Sequence, residues 1–411
     1  MSSKLTIIVF ITILLVSCSV ETSEKYTYTS AEEIINQFGS NAFCYGGYRH
    51  NTRDSIPSIT ELKEDLKVLN ALGCHLIRTY QTQQFGQEKR LLEAIRELNK
   101  EEENFEMYIM LGAWIQCKDA WTDRPIHDLE DTTNNKLEIN QAIDYAQKYP
   151  EIVKIIAVGN EAMVHWAESY WVAPDIILKY VNQLQKLKEN GLIDSKLWVT
   201  SSDNFASWGG GPNEYKTIVL EELIRRVDFV SIHTYPFHDT HYNPEFWDEV
   251  QIDTVLTAEK KILLAIDKSV NYAKNQFLST QAFVQSISPK KLCSIGETGW
   301  ASMDNKFMGA TGSKAADEFK QGLYYKGIRQ WTIEDNIPCF YFQIFNEPWK
   351  DRENVNGSEN HFGLISETGN VKFALWKEFD ESNLSTYTRH NFLSKSYNGN
   401  DSILQSISIP L

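Results

Sequence analysis

Val153-Lys154-Ile155-Ile156-Ala157-Val158-Gly159-Asn160-Glu161 is the stretch that decides the fold. Apart from Lys154 it is apolar without alternation as far as Gly159, the pattern of a strand covered on both faces. It then ends in an amide and a carboxylate. Seven further runs share this character: Ser40–Tyr45, His75–Tyr80, Met107–Trp114, Lys196–Ser201, Val227–Tyr235, Lys291–Gly296 and Pro338–Asn346. Helical signals lie between them. Ser58-Ile59-Thr60-Glu61 is a capping box, in which each end's side chain satisfies a free amide of the first turn. Leu62, Leu66, Leu69 and Leu72 then mark one face, and Gly73 can end the helix. Residues 87–103 form a second candidate, with Leu91, Leu92, Ile95 and Leu98 inward. Pro174 can open a third that Gly191 closes, and residues 314–335 form another. Strands alternating with helices predict a parallel sheet. Eight such units over about 340 residues predict an α/β fold, a (β/α)8 TIM barrel in one domain with loop insertions. The rival is an open doubly wound sheet, and the lack of a GxGxxG after the first run counts against it.

Composition narrows the partners. The chain has 411 residues, 42% of them apolar and 23% charged, and a net charge of −15. That is a globular profile. The acidic balance argues against nucleic acid, which needs a basic surface, and it disfavours an anionic polysaccharide. A neutral substrate fits best. With 11 Trp, 19 Tyr and 20 Phe, the chain can fill a large core and still line a groove.

The start of the chain reads as an address. Lys4 precedes Leu5–Val16, apolar except for Thr6 and Thr12 and too short to be a permanent membrane span. Leu15-Val16-Ser17-Cys18 resembles the end of a bacterial lipoprotein signal, which would make Cys18 the lipidated first residue. An ordinary secretory signal is the alternative. The expected division is 1–17 signal peptide, 18–30 polar tether, 31–380 barrel, and 381–411 a Ser- and Asn-rich tail given to packing or disorder. The protein is thus expected in a bacterial cell envelope, touching membrane only through the anchor, and as a monomer by default. Cys44, Cys74, Cys117, Cys293 and Cys339 show neither a disulfide framework nor a metal-binding spacing. One disulfide stays open.

Polar residues collect where the runs end: Tyr45-Gly46, Arg78-Thr79-Tyr80, Asn160-Glu161, His233-Thr234-Tyr235-Pro236, Gly296-Glu297-Thr298-Gly299-Trp300 and Asn346-Glu347-Pro348-Trp349-Lys350. In a barrel these ends share one mouth, the face that carries active sites. Carboxylates on strands four and seven would face each other across it. Glycosidic cleavage needs such a pair: an acid to protonate the leaving oxygen and a carboxylate to stabilise or bond to the anomeric carbon. The acid must have its pKa raised, and the other must be kept ionised by a Tyr or a cation, for which Tyr235 and Lys350 are candidates.

With Ile77-Arg78-Thr79-Tyr80, Val158-Gly159-Asn160-Glu161, Tyr235-Pro236-Phe237, Gly296–Ser302, Phe345–Lys350 and His361-Phe362-Gly363-Leu364, the chain resembles glycoside hydrolase family 17 from about Asn41 to Leu364. The resemblance implies a retaining β-1,3-glucanase of the laminarinase type, or a β-1,3-glucanosyltransferase. It implies Glu161 as acid/base, Glu297 as nucleophile and Asn160 on the 2-hydroxyl of the sugar. It further implies that Tyr235 donates to the nucleophile and that Glu347 and Lys350 brace the site, a structural ion pair being the alternative. Tyr45, Trp300 and Trp349 are expected at the substrate, a neutral β-glucan. Ala301 departs from the Pro common in the family, and Pro348-Trp349 departs from its plant members. Trp166, Tyr170, Trp171 and Trp208 could stack on sugar rings or simply pack. No cofactor or metal is implied. A glycan-binding lipoprotein on an inactive barrel is the reading from another class, and the presence of both carboxylates counts against it.

Overall fold

The computed structural model describes residues 27–83, 86–252 and 255–411. Cys18, the signal peptide and most of the tether lie outside the described residues. Eight parallel strands close into a barrel: β1 (Ala42–Cys44), β2 (Leu76–Arg78), β3 (Tyr108–Ala113), β4 (Val153–Asn160), β5 (Trp198–Asn204), β6 (Val230–His233), β7 (Cys293–Gly299) and β8 (Cys339–Phe342). Each pairs with its sequence neighbours, and β1 closes onto β8 with Ala42 opposite Phe340. Each of the eight runs read from the sequence overlaps one strand, with β5 and β7 extending past theirs to Asn204 and Gly299. They lack alternation because helices cover the outside and packed side chains fill the inside, so most strand residues are buried on both faces.

A helix follows every strand: α1 (Ile59–Ala71), α2 (Gln87–Glu101), α3 (Thr132–Lys148), α4 (Pro174–Glu189), α5 (Ile218–Arg226), α6 (Ala258–Ile287), α7 (Glu318–Glu334) and α8 (Trp376–Glu381). The Ser58 capping box forms at the start of α1, with Leu62, Leu66 and Leu69 on its buried face. Pro174 stands at the first turn of α4, where its missing N–H is no loss. Another helix, Ala31–Phe38, precedes the barrel, and the Lys154 ammonium donates to the Thr29 carbonyl (3.1 Å), tying that end to β4.

Gly209-Gly210-Gly211 forms a packed turn after β5. Gly209 has φ 87°, and a Cβ there would stand 2.2 Å from the Phe283 ring of α6. Residues 381–411 pack on the barrel, with Leu384, Leu393 and Leu404 buried. From this segment the fully buried Arg389 donates to Asp65 of α1 (3.0 Å). Cys44, Cys74, Cys117, Cys293 and Cys339 are all buried free thiols. Among the described residues no helix is long and apolar enough to cross a membrane.

Candidate active site

The carboxyl ends of the strands open into one cleft of about 1550 Å³ that contains both Glu161 and Glu297. Ordinary ligand pockets hold roughly 300–1,000 Å³, so this one has room for an oligomer. Register shifts place the two carboxylates. Between Ala157 and Asn160 the β4–β5 pairing slips, and between Ile232 and His233 the β6–β7 pairing slips, bringing His233 opposite Glu297. Such bulges re-aim side chains at strand ends. Glu161 sits at φ 46°, an uncommon conformation for a side-chain-bearing residue. It is held there by its N–H to the Ser202 carbonyl (3.0 Å) and by the Met163 N–H to Asp203 (2.7 Å). Burial pushes Asp203 up to about 6.

Below the carboxylates lies a short polar chain. His233 Nδ1 is 3.1 Å from Glu161 Oε1 and 3.8 Å from Glu297 Oε2. Its Nε2 is 2.8 Å from Ser202 Oγ, which is 2.8 Å from Ser231 Oγ. Gly296 makes the room, since a Cβ there would fall 2.0 Å from Ser231 Oγ. Two oxygens this close to one nitrogen can be no more than about 7 Å apart.

Glu297 is surrounded by donors. Arg78 Nη1 reaches Oε2 at 2.6 Å, the Tyr235 hydroxyl reaches Oε1 at 2.5 Å, and the Tyr80 hydroxyl lies 3.3 Å from Oε2. Burial alone would raise its pKa. Protonated His233, the Arg78 charge, the Tyr235 hydroxyl and Lys350 together outweigh burial and hold the carboxyl below its ordinary value. Burial pushes His233 itself down to about 4, so at neutral pH the imidazole is uncharged and Arg78 is the cation that matters. Glu161 has no such cation in contact. Burial, and then the negative charge of Glu297, push it up to about 8. At pH 7 one carboxyl is therefore protonated and the other ionised.

The other expected residues divide. Asn160 lines the cleft and accepts from Arg78 Nη2, which fixes its amide beside Glu297. Tyr45 forms part of the wall, but its hydroxyl donates to Asp65 (3.1 Å), turned from the cleft. Glu347 is buried against Gly46, where a Cβ would stand 1.9 Å from its Oε1. Lys350 Nζ lies 3.7 Å from Glu347 and 4.3 Å from the Phe342 ring centre. Trp349 lines the cleft under the Arg53 guanidinium, 4.0 Å from the ring centre. Trp300 requires correction. It is fully buried behind the cleft, donates to the Ala315 carbonyl (2.9 Å) and packs on Tyr324 and Phe237, leaving no face for a sugar. Trp208 is likewise buried, its indole donating to the Ser231 carbonyl (3.0 Å).

Arg78, Tyr80 and His233 carry much of the electrostatics, yet the sequence reading assigned them no role. Their signal was present: a charged or polar residue closing an apolar run, as in Ile77-Arg78, sits at the barrel mouth. Among the described residues no cluster of His, Cys, Asp and Glu is arranged to hold a metal.

A (β/α)8 barrel whose mouth holds one protonated and one ionised carboxyl has the equipment of a glycoside hydrolase. The chain belongs to the BtgE/BtgC glycoside hydrolase domain family, which it matches over residues 42–363. It is similar to an endo-laminarinase from Formosa Hel1_33_131, with 49% identity and a TM-score of 0.88 over 93% of this chain and 97% of the other. A family 17 β-1,3-glucanosyltransferase from Rhizomucor miehei shares the fold, at 21% identity and a TM-score of 0.55, over 81% of this chain and 95% of that one. The glucan endo-1,3-beta-glucosidase btgC of Emericella nidulans is 24% identical over 342 residues, 79% of this chain and 44% of that protein. The chain spans about 40% of the length of the btgC relatives it matches.

Proposed function

We propose that the protein is a β-1,3-glucan hydrolase that cuts laminarin-type chains internally by double displacement. The observation that carries the mechanism is the opposed charge state of Glu161 and Glu297 over the shared imidazole of His233. Glu161, protonated, gives its proton to the departing glycosidic oxygen while Glu297 Oε bonds to the anomeric carbon. Glu161, now a base, takes a proton from water, and that water displaces Glu297. Asn160, held by Arg78, binds the sugar's 2-hydroxyl. The ceiling of about 7 Å between the carboxyl oxygens agrees better with the roughly 5–5.5 Å of retaining enzymes than with the 6.5–9.5 Å of inverting ones. The β-1,3 linkage and internal cutting rest on the likeness to the Formosa endo-laminarinase. Export and anchoring through Cys18, an envelope location and a monomeric state rest on the sequence alone.

The test is a product profile. The protein is incubated with laminarin and defined β-1,3-gluco-oligosaccharides, and products are resolved by mass, early and late. Early products of several sizes, all shorter than the substrate, support internal hydrolysis. Products longer than the starting oligosaccharide that persist at low substrate would make transfer the main activity. An unchanged substrate would overturn the reading.

A further inference from the structure

Two tryptophans on the cleft wall are largely bare. Trp121 is 61% exposed and Trp166 60% exposed, and both line the same cleft as the carboxylates. Trp121 is also held at φ 65°, a left-handed conformation that a bulky residue seldom adopts. The surroundings maintain it. Its N–H donates to the Ser169 carbonyl (2.9 Å), and its indole N–H donates to Gln116 Oε1 (3.1 Å). Its ring stacks on Tyr170 (centres 5.0 Å apart, 25° between planes) and lies nearly parallel to Trp114 (6.3 Å, 26°). The result is a rigid aromatic rail with an open face, fixed against burial of its largest apolar surface. Core packing does not explain an exposed indole held in a disfavoured backbone conformation.

We infer that this rail is a binding subsite for the glucan on the leaving-group side of the cleaved bond, where the apolar CH faces of glucose rings stack on Trp121 and Trp166. This rests on the hydrolase reading above. The side follows from connectivity. Trp166 and Tyr170 stand five and nine residues after Glu161 on one loop, and the Trp121 segment is hydrogen-bonded to that loop, so the rail adjoins the acid that faces the departing oxygen. Glu297 and its donors lie toward the glycone. Hydroxyl-rich rings with flat CH faces fit an uncharged aromatic surface, and the cleft volume admits several of them.

The experiment compares two substrates in wild type, Trp121→Ala and Trp166→Ala. Laminarihexaose spans both sides of the cleavage point. An aryl β-laminaribioside places sugar only in glycone positions, and its aryl alcohol, a good leaving group, is the sole occupant of the leaving-group side. Each variant is expected to lose about tenfold in kcat/KM on the hexaose, mainly through KM, as one stacking contact would give. The loss on the aryl glycoside should be at least fivefold smaller. Equal losses on both substrates would place the rail on the glycone side and overturn the inference. So would no loss on the hexaose. Circular dichroism and melting of both variants exclude misfolding as the cause. Wild type that cleaves neither substrate would instead refute the hydrolase reading, and laminarihexaose titrated against tryptophan fluorescence in Glu161→Gln, with and without Trp121→Ala, would then still decide the rail.

Discussion

Glu161 and Glu297 are the same residue at equivalent places, the carboxyl ends of two barrel strands, both buried and both within 4 Å of one imidazole. They nevertheless hold opposite charge states. Burial pushes both toward the neutral acid. Glu297 escapes because Arg78, from β2, and Tyr235, beyond β6, donate to its two oxygens. Glu161 touches a neutral histidine, and burial and the charge of its partner outweigh the more distant pull of Arg78. Protonation is therefore set by what neighbouring strands deliver and not by the carboxylate itself. The asymmetry is also mutual: ionised Glu297 helps keep the proton on Glu161.

Removing one member breaks the comparison most severely. Glu297→Gln is expected to lower kcat on laminarin on the order of 10⁵-fold, because no covalent intermediate can form, while glucan affinity measured by calorimetry persists. Glu161→Gln should cost about 10²- to 10⁴-fold on laminarin and far less on an aryl glycoside that needs no protonation, as steady-state rates on the two substrates will show. Added azide should restore Glu161→Ala as the β-glycosyl azide, since a small anion can then take the place of water.

Tyr235→Phe weakens the asymmetry without abolishing it. One donor to Glu297 is lost, so kcat/KM should fall about 10²-fold and the acid limb of the pH profile should move upward. The pH profile of the wild type sharpens the comparison further. On the proposed mechanism, activity needs Glu297 ionised and Glu161 protonated. It should therefore rise through a pKa below the ordinary carboxylate value and fall as pH passes about 8. The smallest effect is on stability. The folded-state pKa of Glu161 exceeds its unfolded value, so the folded protein binds this proton more tightly. The stability tied to it is complete below the unfolded value and is lost as pH rises toward about 8 and beyond. Glu161→Gln removes that loss and should raise Tm by roughly 2–4 °C at pH 8, with little change near pH 4, measured by calorimetry.

The barrel was legible because buried parallel strands leave unbroken apolar runs, and Val153–Gly159 shows this as plainly as any. The carboxylate pair was legible because each run ended in a polar cluster. What the sequence hid was depth. Trp300 follows Glu297 by three residues and looked like a sugar platform, but the chain turns it behind β7 onto Tyr324. Arg78 lay in a quoted string, yet its reach across the barrel from β2 to Glu297 on β7 is a long-range contact that no local pattern records. Trp121 was silent for the same reason: its exposed setting comes from a φ of 65° and from contact with the distant Ser169–Tyr170 loop.

The most direct test of the division of labour is to trap the intermediate. The wild-type protein is treated with a 2-deoxy-2-fluoro-β-laminaribiosyl fluoride, digested, and mapped by mass spectrometry. The account predicts one laminaribiosyl adduct, on Glu297, with activity lost in step with labelling. Label on Glu161, or turnover that yields inverted product with no adduct, would contradict it.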